Sequence, residues 1–188
     1  MSGDKVPFLF TLDVHDREKL KDKMNVSLDV MGEAGIKTTY FVVANLIEKH
    51  DLGDVLRRMV AEGHQVASHS LTHEEPEDCK EDPVEVQKVY LKEAKDILEQ
   101  EIGREVSTFR APAFRLSWRT MVALEETGHR ADVSINSQRF PLFSSDLLNT
   151  GWYYAPRQPY HPSSKNPHRR GDLGLWEIPV TSFVFPFM

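Results

Sequence analysis

The sequence predicts an α/β fold built on a parallel sheet, and three observations predict it. Short β-branched or aromatic runs alternate with longer amphipathic stretches from Phe8 to Ile135. Four of the amphipathic stretches end at a glycine, after which a few polar or small residues lead into a strand. Acids, histidines and an arginine recur just after the strand runs, where ligand-handling residues of parallel α/β arrays collect. Strands alternating with helices imply right-handed crossovers, in a sheet that is either open or closed into a barrel.

Each element follows from its residues. Phe8 to Leu12 is a short apolar run. Leu20, Met24, Leu28 and Met31 recur at helical spacing, and Gly35 stops that helix. Thr38 to Val43 is β-branched and aromatic, a second strand. Val55, Leu56, Met59 and Val60 form the next helical face, closed by Gly63, and Gln65 to Ser68 is the third strand. Asp82-Pro83 reads as a cap with proline at the first helical position. Val86, Val89, Tyr90, Ala94, Ile97 and Leu98 then make the apolar face of a long helix that stops near Gly103. Val106 to Phe109 is a strand. Ser117 caps a helix containing Met121, Val122 and Leu124, Gly128 closes it, and Ala131 to Ile135 is the fifth strand. From Phe140 to Gly171 Pro, Ser, Asn and Arg dominate, which predicts a long loop region, and Leu175 to Val180 is a late strand. The apolar run Phe183 to Phe187, directly before Met188, points to a missing C-terminal segment.

At 188 residues, 40% of them hydrophobic, residues 1–188 read as one domain with a sizeable core. A formal charge of −6, with both signs mixed along the chain, argues against a nucleic-acid surface. The small cluster His168-Arg169-Arg170 reads as a solvated loop or a contact for one anionic group. Cys79 is the only cysteine, so no intrachain disulfide forms, and an unreactive thiol is expected. No apolar signal segment follows the polar Met1 to Lys5, and no run reaches transmembrane length. These features predict a cytoplasmic protein without stable membrane insertion, compatible with a homo-oligomer. His50, His64 and His129 read as surface residues at helix ends.

The segment His69-Ser70-Leu71-Thr72-His73 carries the chemistry. On a helical turn its spacing puts both rings on one side, where they can grip one divalent ion. Two imidazoles need a third donor, and hydrolytic work needs an open position as well. The run Thr11-Leu12-Asp13-Val14-His15-Asp16 offers it, from His15 or Asp16. An ion on two neutral histidines and one carboxylate stays positive, so it acidifies water and polarises a carbonyl. A second carboxylate off the metal can then accept the water's proton. Asp13, with Arg110 beside it, fits that role, and Asp132, Ser134 and Asn136 add polar groups at the fifth strand.

These residues resemble the polysaccharide deacetylases with the NodB homology domain, carbohydrate esterase family 4, from Thr11 to about Thr181. The family's first motif pairs a general-base Asp with a metal-binding Asp, and Thr11 to Asp16 resembles a stretched version. The second, His-Ser/Thr-x-x-His, is matched by His69, Ser70 and His73. The third, Arg-x-Pro, is matched by Arg110 and Pro112 in Phe109-Arg110-Ala111-Pro112-Ala113-Phe114. The fourth carries an Asp, matched by Asp132. The resemblance implies a distorted (β/α) barrel and a divalent metal, Zn²⁺ before Co²⁺, Ni²⁺ or Mn²⁺. It also implies hydrolysis of an N-acyl group, chiefly acetyl, from an amino sugar in a polysaccharide or lipid-linked glycan. By family habit Asp16 is favoured over His15 as the third ligand. Asp13 would be the base, Arg110 its orienting partner, and Asp132 the group that orients a general acid. Pro112 and Phe114 would lie beside the substrate, and Tyr160-His161-Pro162-Ser163 resembles a substrate-side loop. The family's Leu-x-His, source of the general acid, is not found. A hydrolase of non-sugar amides, such as formamides or cyclic ureides, and an inactive binding module are the alternative readings. Trp118, Trp152, Tyr153 and Tyr154 are able to stack on a sugar face, although aromatic residues more often fill cores.

Overall fold

The computed structural model describes residues 8–74, 77–137 and 151–180. Six parallel strands lie in the order β1 (Phe10–Val14), β2 (Thr38–Val42), β3 (Gln65–Ser68), β4 (Thr108–Phe109), β5 (Ala131–Asp132) and β8 (Trp176–Glu177). Helices α1 (Leu20–Glu33), α2 (Leu46–His50), α3 (Gly53–Ala61), α4 (Val84–Ile102) and α5 (Trp118–Glu126) fill the crossovers. A short helix α6 (Gly151–Tyr154) and an antiparallel hairpin of β6 (Pro162–Ser163) and β7 (Asn166–Arg170) precede β8. The predicted long loop is corrected to this extent. Its first part, and the apolar run Phe183 to Phe187, lie outside the described residues.

The sheet curls. Arg110, one residue past β4, reaches Thr11 and Asp13 on β1. Three strand spacings would put β1 about 14 Å from β4 in a flat sheet, beyond the reach of a side chain. Phe41, Ala67 and Val133 form a small core on the inside of the curve. Two larger cores lie between sheet and helices. One gathers Leu28, Leu56, Met59 and Val66, the other Leu91, Phe109, Met121 and Trp152. Burial of these apolar surfaces, worth about 25 cal/mol per Å², drives the helices onto the sheet.

The helix stops are those the glycines predict. Gly35, Gly63, Gly103 and Gly128 all have positive φ, between +65° and +82°, which costs a residue without Cβ little. At three of them the two closing bonds are present: His64 N–H donates to Met59 and Gly63 N–H to Val60, with the same pair at Gly35 and Gly128. At Gly63 and Gly128 the residue after the glycine is carried against the sheet. His64 and His129 occupy that position and are buried, which corrects their expected place at the surface. At α5, Ser117 and Thr120 form the reciprocal capping pair. At α4 the helix begins after Pro83, and Asp82 accepts Asp78 N–H rather than capping. The buried face of α4 is Gln87, Tyr90, Leu91, Ala94 and Leu98, while Val86 and Val89 are exposed. That face is rotated from the predicted one because Gln87 turns inward to donate its amide to the Asp82 carbonyl. Among the described residues no helix is long and apolar enough to cross a membrane.

Candidate metal centre

Strands β1, β3 and β4 deliver their chemistry to one rim. Successive side chains of a strand point to opposite faces, so Asp13 and His15 share a face, while Val14 enters the outer core. His15 Nε2 lies 3.2 Å from His69 Nε2. The His73 ring centres 4.7 Å from that of His15 and 4.9 Å from that of His69. One ligating nitrogen from each of the three falls within 4.8 Å of the others.

The His69–His73 segment is not a helical turn, contrary to expectation. Ser70 has φ +68° and His73 φ +64°, left-handed values that cost a residue with a Cβ roughly 1 kcal/mol each. Backbone bonds from Ala44 to the Ser70 carbonyl and from Asn45 to the Leu71 carbonyl hold the loop against the end of β2. Glu77 accepts the Ser70 hydroxyl at 2.6 Å and the Thr72 N–H at 3.0 Å. These contacts hold the strained loop that turns both rings toward His15. Glu77 carries no sequence signal, because its partners are set by the loop's path.

The residues fit a divalent metal. His69 Nδ1 donates to the Arg110 carbonyl at 2.8 Å, which leaves a lone pair on Nε2, the nitrogen facing His15. His73 Nε2 is buried without a hydrogen-bond partner. Burial pushes the His69 imidazole down to about 4, and burial followed by the nearby His73 lowers that of His15. Both are therefore in the neutral, ligating form at pH 7. An all-imidazole donor set suits Zn²⁺, with Co²⁺ or Ni²⁺ as alternatives, and suits the oxygen-seeking Mn²⁺ less well.

Asp16, the favoured third ligand, does not join the cluster. Its carboxylate accepts from Lys49 at 2.5 Å and His50 at 2.7 Å, and those bonds hold its carboxyl below the usual range. The pleat explains the correction: residue 15 continues the face of Asp13, and residue 16 turns away from it. A cleft of about 290 Å³ opens beside His15 and His73, walled by Arg17, Asn45, Lys49 and Thr72.

Asp13 sits beside this cluster, held by Arg110. Arg110 Nη1 donates to Asp13 Oδ1 at 2.6 Å, Nη2 to Thr11 Oγ1 at 3.0 Å, and Nε to the Val133 carbonyl at 3.0 Å. Its guanidinium centre lies 4.1 Å from the Phe41 ring and 5.3 Å from the Phe114 ring. Pro112 begins a short 3-10 turn in which Ala113 and Phe114 have φ of +50° and +58°. That strained turn brings the Phe114 ring to Arg110.

The remaining candidates lie elsewhere. Asp132 is fully buried, accepts the Ser134 hydroxyl and faces Glu177. Among the described residues it has no hydrogen bond to a histidine, and the Ser134 hydroxyl and Glu177 face its oxygens. Tyr160 is fully buried as well, bridging β8 and donating its hydroxyl to the Pro167 carbonyl. His161 donates to the Leu175 carbonyl and packs on Trp176, with ring centres 3.9 Å apart. Both belong to the outer edge of β8 and not to the rim, because Tyr160 pairs antiparallel with Glu177. Trp152 is core, while Trp118, Tyr153 and Tyr154 are exposed. His168 and Arg170 lie on β7, and Cys79 is buried with its thiol pushed up to about 12. The sequence reading missed Glu177, whose place opposite Asp132 depends on the pairing of β5 with β8.

The profile of the family described as polysaccharide deacetylase matches residues 5–131. A chitooligosaccharide deacetylase of Rhizobium leguminosarum bv. trifolii is 38% identical over 58 residues, 31% of this chain and 26% of the relative. A solved polysaccharide deacetylase structure from Mycobacterium smegmatis superposes with TM-score 0.66 at 21% identity, over 92% of this chain and 58% of that one. A solved pseudoenzyme of carbohydrate esterase family 4 from Bacillus anthracis superposes with TM-score 0.59 at 13% identity, over 93% of this chain and 54% of that one. The chain thus spans about a quarter of the length of the first relative and somewhat over half of the solved chains. These likenesses agree with the curled α/β sheet described above, of the distorted-barrel type. With its profile matched over more than half its length, the chain belongs to the polysaccharide deacetylase family.

Proposed function

We propose that residues 1–188 act as one metal-dependent catalytic unit that hydrolyses the N-acetyl group of an amino sugar in a glycan. The observation that carries this reading is the cluster of His15, His69 and His73 next to a carboxylate held by Arg110. The similarity to a chitooligosaccharide deacetylase supports the substrate class. A divalent ion, when bound, supplies Lewis acidity, drawing electron density from water and from the acyl oxygen.

The chain's own residues do the rest. His15, His69 and His73 hold the ion while keeping its full positive charge, since none of them is anionic. Arg110 occupies Asp13 Oδ1 and fixes the carboxylate, so the proton of the attacking water passes to Oδ2. The water oxygen bonds to the acyl carbon, the C–N bond breaks, and the amine leaves with a proton while acetate is released. Asp13 returns that proton. Of the eight histidines, three form the cluster, His50 binds Asp16, His64 and His129 lie at the opposite rim, and His161 and His168 lie at the hairpin. Phe114 and Pro112 border the substrate.

Asp13→Asn tests the reading on N-acetylglucosamine oligomers. Turnover is expected to fall about 100- to 10,000-fold with zinc affinity retained. Unchanged turnover would remove Asp13 from the mechanism. The same assay with formamides and cyclic ureides decides between sugar and non-sugar amides. A binding module without turnover is the second reading, since among the described residues no histidine beyond His15, His69 and His73 joins the cluster at this rim. Zinc uptake together with oligomer binding but no acetate release would establish it.

A further inference from the structure

Resting on that reading, we propose that Asp132 and Ser134 are positioning residues for His69, acting through the peptide bond between Arg110 and Ala111. This peptide is held at both ends. Its carbonyl accepts from His69 Nδ1 at 2.8 Å, and its N–H donates to Ser134 Oγ at 2.8 Å. The Ser134 hydroxyl in turn donates to Asp132 Oδ1 at 2.6 Å. Every donor in the series points the same way, from imidazole to carboxylate. Hydrogen bonds arranged in such a chain polarise one another, the more so away from water. His69 is 1% exposed, Arg110 3%, and Ala111, Asp132 and Ser134 are wholly buried.

A metal-ligating histidine ordinarily gives its second N–H to a carboxylate or carbonyl, which fixes the ring and raises its basicity. Here a carbonyl makes the contact, and a carboxylate stands behind it across one peptide and one hydroxyl. Negative charge at Asp132 therefore strengthens the acceptor facing Nδ1 and, through the ring, the donor Nε2. Glu177 completes the arrangement. It is wholly buried, and its Oε1 accepts Ile135 N–H at 3.1 Å. Two buried carboxyls facing each other share one proton. Burial and the facing Asp132 push Glu177 well above the ordinary carboxyl range. Burial pushes Asp132 up as well, but the Glu177 contact and both Ser134 donors, Oγ at 2.6 Å and N at 3.3 Å, act to lower it, whereas Asp132 only raises Glu177. Glu177 thus carries the proton, and Asp132 is the anionic end of the relay.

Zinc affinity and the His69 Nδ1 proton resonance test the proposal together. Metal-free full chains are titrated with Zn²⁺ against a chromophoric chelator, and the resonance is followed by NMR before and after loading. Asp132→Asn keeps the shape and an acceptor for Ser134 but removes the charge. It is expected to weaken zinc binding about 10- to 100-fold and to move the Nδ1 proton upfield. Ser134→Ala is expected to do the same, and Ser134→Thr to restore both readouts. Affinities and resonances equal to those of the unaltered chain, with only the melting temperature lowered, would show a merely structural role and overturn the proposal. Should Asp132→Asn fail to fold, the Ser134 pair decides on the same terms. An unaltered chain that takes up no zinc on its three histidines would defeat the metal reading. The Nδ1 resonances of the metal-free chains would still decide the relay.

Discussion

The two rims of the sheet carry the same residue type and use it in opposite ways. At the carboxyl ends of the strands, His15, His69 and His73 turn their ring nitrogens toward one another. At the amino ends, His64 and His129 are buried separately, each directly after a helix-ending glycine. His64 Nδ1 accepts Thr38 N–H at 3.1 Å, and its ring meets Tyr40 edge-on. His129 Nδ1 meets the Thr127 hydroxyl at 3.0 Å, and its ring lies against Phe109. Burial lowers the imidazoles at both rims. A depressed histidine is therefore no sign of function by itself. What separates the rims is convergence: imidazoles from two strand ends meet at one, whereas single rings serve as packed spacers at the other.

The sharpest way to break this comparison is to remove a ring from each rim. His73→Ala deletes a ligand and is expected to weaken zinc binding by more than the roughly 100-fold that loss of an outer-shell partner costs. His64→Gln is expected to leave it within about twofold, since no ligand is touched. Chelator competition measures both. Equal losses would mean that the rims are not distinct.

Acidification sharpens the comparison with a smaller effect. Burial holds His129 at about 4, against 6.5 in an unfolded chain. The folded state thus binds fewer protons between those values. The stability from a neutral His129 is complete above pH 6.5 and drains away as pH falls toward 4. At full extent it is worth about 3 kcal/mol. His129→Asn should flatten that part of the profile, read from thermal melts of the metal-free chain, and leave zinc affinity at pH 7 unchanged. A profile as steep as that of the unaltered chain would mean that His129 titrates freely.

The smallest effect concerns the turns that place the structural histidines. Gly63 has φ +82°, so Gly63→Ala is expected to cost about 1 kcal/mol of stability without altering zinc binding. Denaturant melts and the chelator assay check the two halves.

Much of this was legible before any coordinates. Gln65 to Ser68 is a strand residue for residue, the four stopping glycines have the expected handedness, and Ser117 caps its helix. These features depend on neighbours a few residues away. The strand expected from Val106 begins only at Thr108, because side chains of α4 take the Val106 backbone: its N–H donates to Glu99 at 2.9 Å and its carbonyl accepts from Lys95 at 2.5 Å. The family resemblance places Tyr160 in a substrate-side loop, whereas its burial against β8 follows from a pairing with residue 177. The spacing of His69 and His73 marks them as a pair, although the chain joins them through a left-handed loop and not a helical turn.

The order of strands and helices, their stops, and the residue types brought to the strand ends were determined by the sequence alone, because alternation, helical period and turn chemistry are short-range properties. Tertiary structure decided that His15 and not Asp16 faces the histidine pair, that Arg110 crosses the curled sheet to Asp13, and that Asp132 meets Glu177. Those outcomes depend on the phase of the pleat at the end of β1, on the curl over four strands and on the pairing of strands far apart in the chain, none of which local sequence encodes.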